Sequence, residues 1–161
     1  MLKNPGDPIL SKVTPKNEMP LNWPNKTEKF KRWTAKDKKE LKLILKSLPN
    51  VLTQIGELKI FRASQSKWPE NGATTAAEEN IITVYDKAES YGLKKVLVHE
   101  LSHILWKNLD RSNKEKYFSD ADWALNTKGE VINQRAVISE EDGRLSPEED
   151  FANNVEHLIT N

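Results

Sequence analysis

The chain has 161 residues, 25 Lys and Arg against 24 Asp and Glu, a formal net charge of +1, and no Cys. That length suffices for one domain with a real core, and the balanced charge leaves no basic footprint for nucleic acid. The absence of Cys excludes disulfides and thiolate metal sites, so any metal must be held by His and carboxylates. No apolar run approaches the ~20 residues of a membrane span. The N-terminus, Met1 to Pro8, lacks the apolar stretch of a signal peptide. Export is therefore expected only as part of a larger protein or through a dedicated secretion machine.

Residues 1–24 carry Pro5, Pro8, Pro15, Pro20 and Pro24 with little apolar periodicity, which reads as an extended segment packed on the surface. Residues 1–33 are assigned to this segment and 34–161 to the domain proper. Trp23 and Trp33 are candidates to pin it to the body. Thr34 is the N-cap of a first helix whose buried stripe is Leu41, Ile44, Leu45 and Leu48, ending before Pro49-Asn50. Residues 51–56 continue as a short helical piece. Glu57–Ala63 has β character and Asn80–Asp86 is a stronger strand, while Ser64–Glu79 between them is a polar loop.

Leu93–Leu109 has no Pro and no Gly, and its apolar residues Leu93, Val96, Leu97, Val98, Leu101, Ile104, Leu105 and Leu109 recur at three- and four-residue steps. That is the pattern of a helix largely buried in a core. Ser112-Asn-Lys-Glu115 reads as a capping box opening another helix. Residues 125–143 are polar and irregular, with one strand at Val131–Val137. Ser146-Pro-Glu-Glu149 opens the last helix, with Ser at the N-cap and Pro at the first helical position, and Phe151, Val155 and Leu158 form its core stripe.

Within the apolar helix stands His99-Glu100-Leu101-Ser102-His103. Two imidazoles four residues apart lie one turn from each other on one helix face, where both can bind one Zn²⁺. Glu100 between them can reach the attacking water and take its proton. The bland alternative is two core histidines satisfied by hydrogen bonds. Burying two imidazoles and a carboxylate together without a metal would leave several polar groups to satisfy.

A catalytic zinc needs a third protein ligand and an open position. A His at the spacing of the metzincin consensus is absent, so the ligand must come from elsewhere. Glu149 is the leading candidate, and His157, Glu148 and Asp150 are the alternatives. Asn153, four residues after Glu149, could accept a hydrogen bond from the outer nitrogen of a metal-bound histidine. Small Ala152 would let the two helices approach closely. The competing role for Glu149 is to cap its own helix at the third position.

These residues resemble the gluzincin metallopeptidases, in particular compact domains carrying H-E-x-x-H and, some 45 residues later, a helix of the form E-x-F-A. Here the second element is Glu149-Asp150-Phe151-Ala152, preceded by Gly143-Arg144 as in the catalytic domain of anthrax lethal factor. The stretch from Ile60 through Ala73-Thr-Thr, Ile82–Asp86 and Val98–His103 to Leu145–Ala152 also resembles metallopeptidase toxin domains at the C-termini of bacterial Rhs-type and other polymorphic toxins. The likeness spans roughly residues 40–159. It implies an α+β, zincin-like fold, with a small mixed or antiparallel sheet packed on the active-site helix and on a C-terminal helix bearing the third ligand. It also implies a zinc endopeptidase, a substrate peptide added to the edge of the strand Asn80–Asp86, and partners in the form of a protein substrate, a parent secreted toxin and a cognate immunity protein. Two positions depart from lethal factor: Asp142 stands in place of a Tyr, and Asn153 in place of a Glu. The transition-state donor is therefore open among Tyr117, Tyr85, Arg144 and His157.

Three functions follow. The first is a toxin or effector protease delivered into a target cell. The second is another metallohydrolase, whether housekeeping, self-processing or cutting peptidoglycan peptides. The third is a binding module on a zincin scaffold without turnover, against which an intact Glu100 argues.

Overall fold

The computed structural model describes residues 13–15, 29–53, 55–128, 130–133 and 141–161. Trp23, most of the Pro-rich segment and residues 134–137 of the expected late strand lie outside them. The frame is a mixed sheet with helices packed against it. Five short strands enter the sheet: β1 (Val13–Pro15), β2 (Phe30–Lys31), β3 (Leu58–Ala63), β4 (Ala73–Ala76) and β5 (Ile81–Val84). β3 is central. β5 runs parallel along one side of it, while β1 (parallel) and β2 (antiparallel) share the other. β4 pairs antiparallel with β5 and ends the order.

Two pieces of the segment ahead of residue 34 thus join the sheet. Trp33 anchors the second of them: its indole is buried and donates from Nε1 to the Ile60 carbonyl at 3.0 Å. Helix α1 (Ala35–Ser47) starts as expected, with the Thr34 hydroxyl accepting from the Asp37 amide and the Asp37 carboxylate accepting from the Thr34 amide. Leu41, Leu45 and Leu48 are buried, and the short α2 (Asn50–Thr53) follows. Together with Leu52, Leu58, Ile60, Ile82, Val84, Leu97, Leu101 and Ile104 they form one core between the sheet and its helices.

The expected polar loop over 64–79 contains an element of its own. Ala73–Ala76 is strand β4, followed by a 3₁₀ turn at Ala77–Glu79. Its Ala-Thr-Thr-Ala sequence has no apolar alternation to announce it, and its backbone pairing to β5 makes it a strand. This also corrects the expected sheet edge. β5 is hydrogen-bonded on both sides, by β3 and by β4, so among the described residues the outer strand is β4.

A single turn, α3 (Ala88–Tyr91), leads through Gly92 into α4 (Leu93–Asn108). Val96, Leu97, Val98, Leu101 and Ile104 are buried there, as the periodicity requires. Helix α5 (Arg111–Asp120) is capped by Asp110, whose carboxylate accepts from the Asn113 amide at 2.8 Å. The cap expected at Ser112 lies inside the helix, because Asp110, two residues earlier, takes the N-cap position through the Asn113 amide. A small hairpin pairs β6 (Ala124–Leu125) with β7 (Val131–Asn133).

The last helix, α6 (Pro147–Thr160), has the N-cap read from sequence, with the Ser146 hydroxyl accepting from the Glu149 amide at 3.1 Å. Its expected stripe holds in part: Val155 packs against the core and Phe151 against Trp106 and Tyr117, but Leu158 does not join them. Leu158 is 81% exposed, and the buried residues of α6 are Asp150, Ala152, Asn153 and Glu156. The helix turns a polar face inward because that face meets the polar face of α4. No helix among the described residues is long and apolar enough to cross a membrane.

Candidate metal centre

α4 and α6 pack antiparallel. Glu148 near the start of α6 meets His103, Glu156 near its end lies by His99, and Lys94 of α4 donates to the Ile159 carbonyl. Fully buried Ala152 keeps the helices close. Three ligand atoms converge between them. His99 Nε2 and His103 Nε2 are 3.2 Å apart, and Glu149 Oε2 lies 3.5 Å from the first and 3.6 Å from the second.

His99, His103 and Glu149 therefore form a group that could hold a metal ion. Tetrahedral coordination at about 2.0–2.2 Å from each ligand sets ligand atoms about 3.3–3.6 Å apart, close to the observed 3.2, 3.5 and 3.6 Å. The chemistry of the donors fits as well. Two imidazole nitrogens and a carboxylate oxygen facing one another need a proton or a metal cation among them. With protons alone, burial works against a charged His99, but the hydrogen bond to Glu149 and the fields of Glu100, Glu149 and Glu156 outweigh it and raise its pKa to about 9. His103 is also raised against its burial, chiefly through Glu148. Glu149 is lowered, mainly by its hydrogen bond to His99.

Glu100 is buried beside the triad. Burial pushes its carboxyl up, while the fields of His99 and His103 and a hydrogen bond from Thr75 oppose the shift. The Thr75 hydroxyl of β4 lies 2.6 Å from Glu100 Oε2 and 3.2 Å from the Glu100 carbonyl oxygen. The triad and Glu100 open into a cleft of about 840 Å³. One wall runs from Glu70 through Gly72 to β4, all within the stretch read from sequence as a polar loop. The opposite wall includes Asp142, Leu145 and Asn153.

Asn153 donates from Nδ2 to Asp142 Oδ1 at 2.6 Å, and the carboxylates at the outer imidazole nitrogens are Glu148 and Glu156 instead. His157 is exposed and bonded to Asn161, away from the triad. None of the four donors considered from sequence is among the cleft-lining residues. Tyr85 is buried, with its hydroxyl 2.7 Å from that of Thr74. The Tyr117 hydroxyl donates to Asp150 at 2.8 Å, and Arg144 is exposed at the end of a 3₁₀ turn. Asp150, one position past the candidate ligand, serves structure: its carboxylate also accepts from Trp123 Nε1 and Asn154 Nδ2.

Thr75 and Glu156 were not picked out by sequence reasoning, and Glu148 only as a substitute ligand. Glu156 had a signal, since it follows Glu149 by seven residues and so returns to nearly the same helix face. Thr75 stood in the Ala73-Thr-Thr stretch of the resemblance without a role, because its partner Glu100 lies on α4, distant along the chain. Compared with known proteins, the chain matches no protein-family model, no curated protein and no solved structure.

Proposed function

We propose that this chain is a zinc-dependent metallopeptidase that hydrolyses peptide bonds. The observation that carries the reading is the 3.2–3.6 Å triangle of His99, His103 and Glu149 with the Glu100 carboxylate beside it. Bound zinc would supply Lewis acidity, polarising a peptide carbonyl and lowering the pKa of water. Glu100 takes the proton of the attacking water and delivers it to the leaving amine. Thr75 holds one Glu100 oxygen and leaves the other for the water. The outer edge of β4, beside the cleft, offers a backbone ladder to an extended peptide.

The likeness to metallopeptidase toxin domains supports a narrower version. In it, the chain is the toxin or effector part of a secreted bacterial protein, acting on proteins in a target cell and restrained by an immunity protein.

The test compares wild type with Glu100→Gln in a cell lysate, reading newly formed N-termini by mass spectrometry. Gln keeps the shape but takes no proton. New N-termini are expected with wild type alone, at equal zinc content. Identical cleavage by both chains would refute Glu100 as the base, and no cleavage by either would count against a peptidase. Growth arrest on cytoplasmic expression, relieved by Glu100→Gln, separates the toxin reading from a housekeeping or self-processing enzyme.

A further inference from the structure

We infer that Glu148 and Glu156 are positioning residues that lock the two imidazoles with Nε2 turned to the metal. The inference rests on the metal-site reading and extends it to residues outside the ligand triad. His103 Nδ1 lies 2.8 Å from Glu148 Oε1, a full hydrogen bond in which the ring donates. A histidine that gives its Nδ1 proton to a carboxylate must present the lone pair of Nε2, and the acceptor raises the basicity of that nitrogen. His99 Nδ1 lies 3.7 Å from Glu156 Oε2, too far for a direct bond but close enough to favour a proton on that nitrogen.

Glu156 is itself fixed. It is 6% exposed, and its other oxygen lies 3.3 Å from Lys95 Nζ, one turn before His99 on α4. One helix thus carries the third ligand and both outer carboxylates. Docking α6 on α4 places the ligand and orients both rings in a single step.

The rival role for Glu148 is an ordinary acid in the first turn of α6, favoured there by the helix dipole. The two roles separate experimentally. A dipole partner affects the stability of the metal-free chain and leaves metal affinity alone. A positioning residue changes affinity and the site of the ring proton.

The experiment measures zinc affinity of the full chain by competition with a chromophoric chelator, for wild type, Glu148→Ala, Glu148→Gln and Glu156→Gln. Imidazole ¹⁵N NMR of the zinc-loaded wild type reads the tautomers. Metal-free melts of each variant establish that it folds. Glu148→Ala should bind zinc about 10–100-fold more weakly. Glu148→Gln should fall between, because its amide oxygen still accepts from Nδ1–H. Glu156→Gln should show the smaller loss that the longer distance implies. Both wild-type rings should carry their proton on Nδ1. Wild-type affinity in all three variants, or a His103 proton on Nε2, overturns this inference and leaves the metal site standing. A wild-type chain that takes up no zinc overturns both.

Discussion

Glu100 is one carboxylate asked to accept a proton from water at a defined point, and the group that defines its direction is the Thr75 hydroxyl. A hydrogen bond to a charged group is worth about 1.5–3 kcal/mol, so losing it should cost about 10–100-fold in kcat. Thr75→Val keeps the volume and removes the hydroxyl. It should lower kcat in that range on any peptide substrate, with KM and zinc content close to wild type. Thr75→Ser should restore most of the rate. Steady-state kinetics with metal analysis decides the matter: a Val variant at wild-type kcat means that the packing around Glu100 orients it without Thr75.

Among the elements, the wall formed by Gly72 and β4 must sit close against α3 and α4. A Cβ at Gly72 would lie 2.9 Å from Val96 Cγ2, closer than real side chains pack, and 3.2 Å from Tyr91 Cδ2, tighter than most. Gly72 is therefore a demand for close approach, and its carbonyl accepts from the Tyr85 amide across the start of the hairpin. Gly72→Ala should cost about 1–3 kcal/mol by overpacking. Because β4 carries Thr75, activity should fall further than stability does. Denaturant unfolding should show the loss, and Val96→Ala in the same chain should recover part of it. A Gly72→Ala chain as stable as wild type would mean that Val96 moves aside freely.

At the level of the whole molecule, folding and metal binding share the same groups and must be linked. The pKa of His99 in the metal-free fold, about 9, stands above the ordinary 6.5. A raised imidazole pKa contributes stability that is fully present below about 6.5 and is lost as pH rises through about 9. Zinc needs neutral imidazoles, so its affinity rises over the same window. The gap in melting temperature between zinc-loaded and metal-free chains should accordingly widen from pH 6 to pH 8.5. At free zinc of 100 times Kd the ligand contributes about 2.7 kcal/mol. Calorimetry at several pH values checks this: a gap independent of pH would mean that His99 exchanges no proton for the metal.

The sequence by itself determined what depends on neighbours along the chain. The four-residue spacing of His99 and His103 places both rings on one helix face. Thr34 and Ser146 cap their helices through backbone amides three residues away. The apolar periodicity of α4 was legible for the same reason, since helix geometry is local. Tertiary structure decided what depends on contact across elements. Ala73–Ala76 became a strand through its ladder to β5, and the pieces at 13–15 and 30–31 through theirs to β3. Leu158 went to the surface and Asn153 and Glu156 inward because α6 docks on a face of α4 that holds imidazoles rather than leucines. Glu149 illustrates both. Its place at the third position of α6 was readable from Ser146-Pro147, but only the antiparallel docking of α6 on α4 brings its carboxylate within 3.6 Å of both histidines.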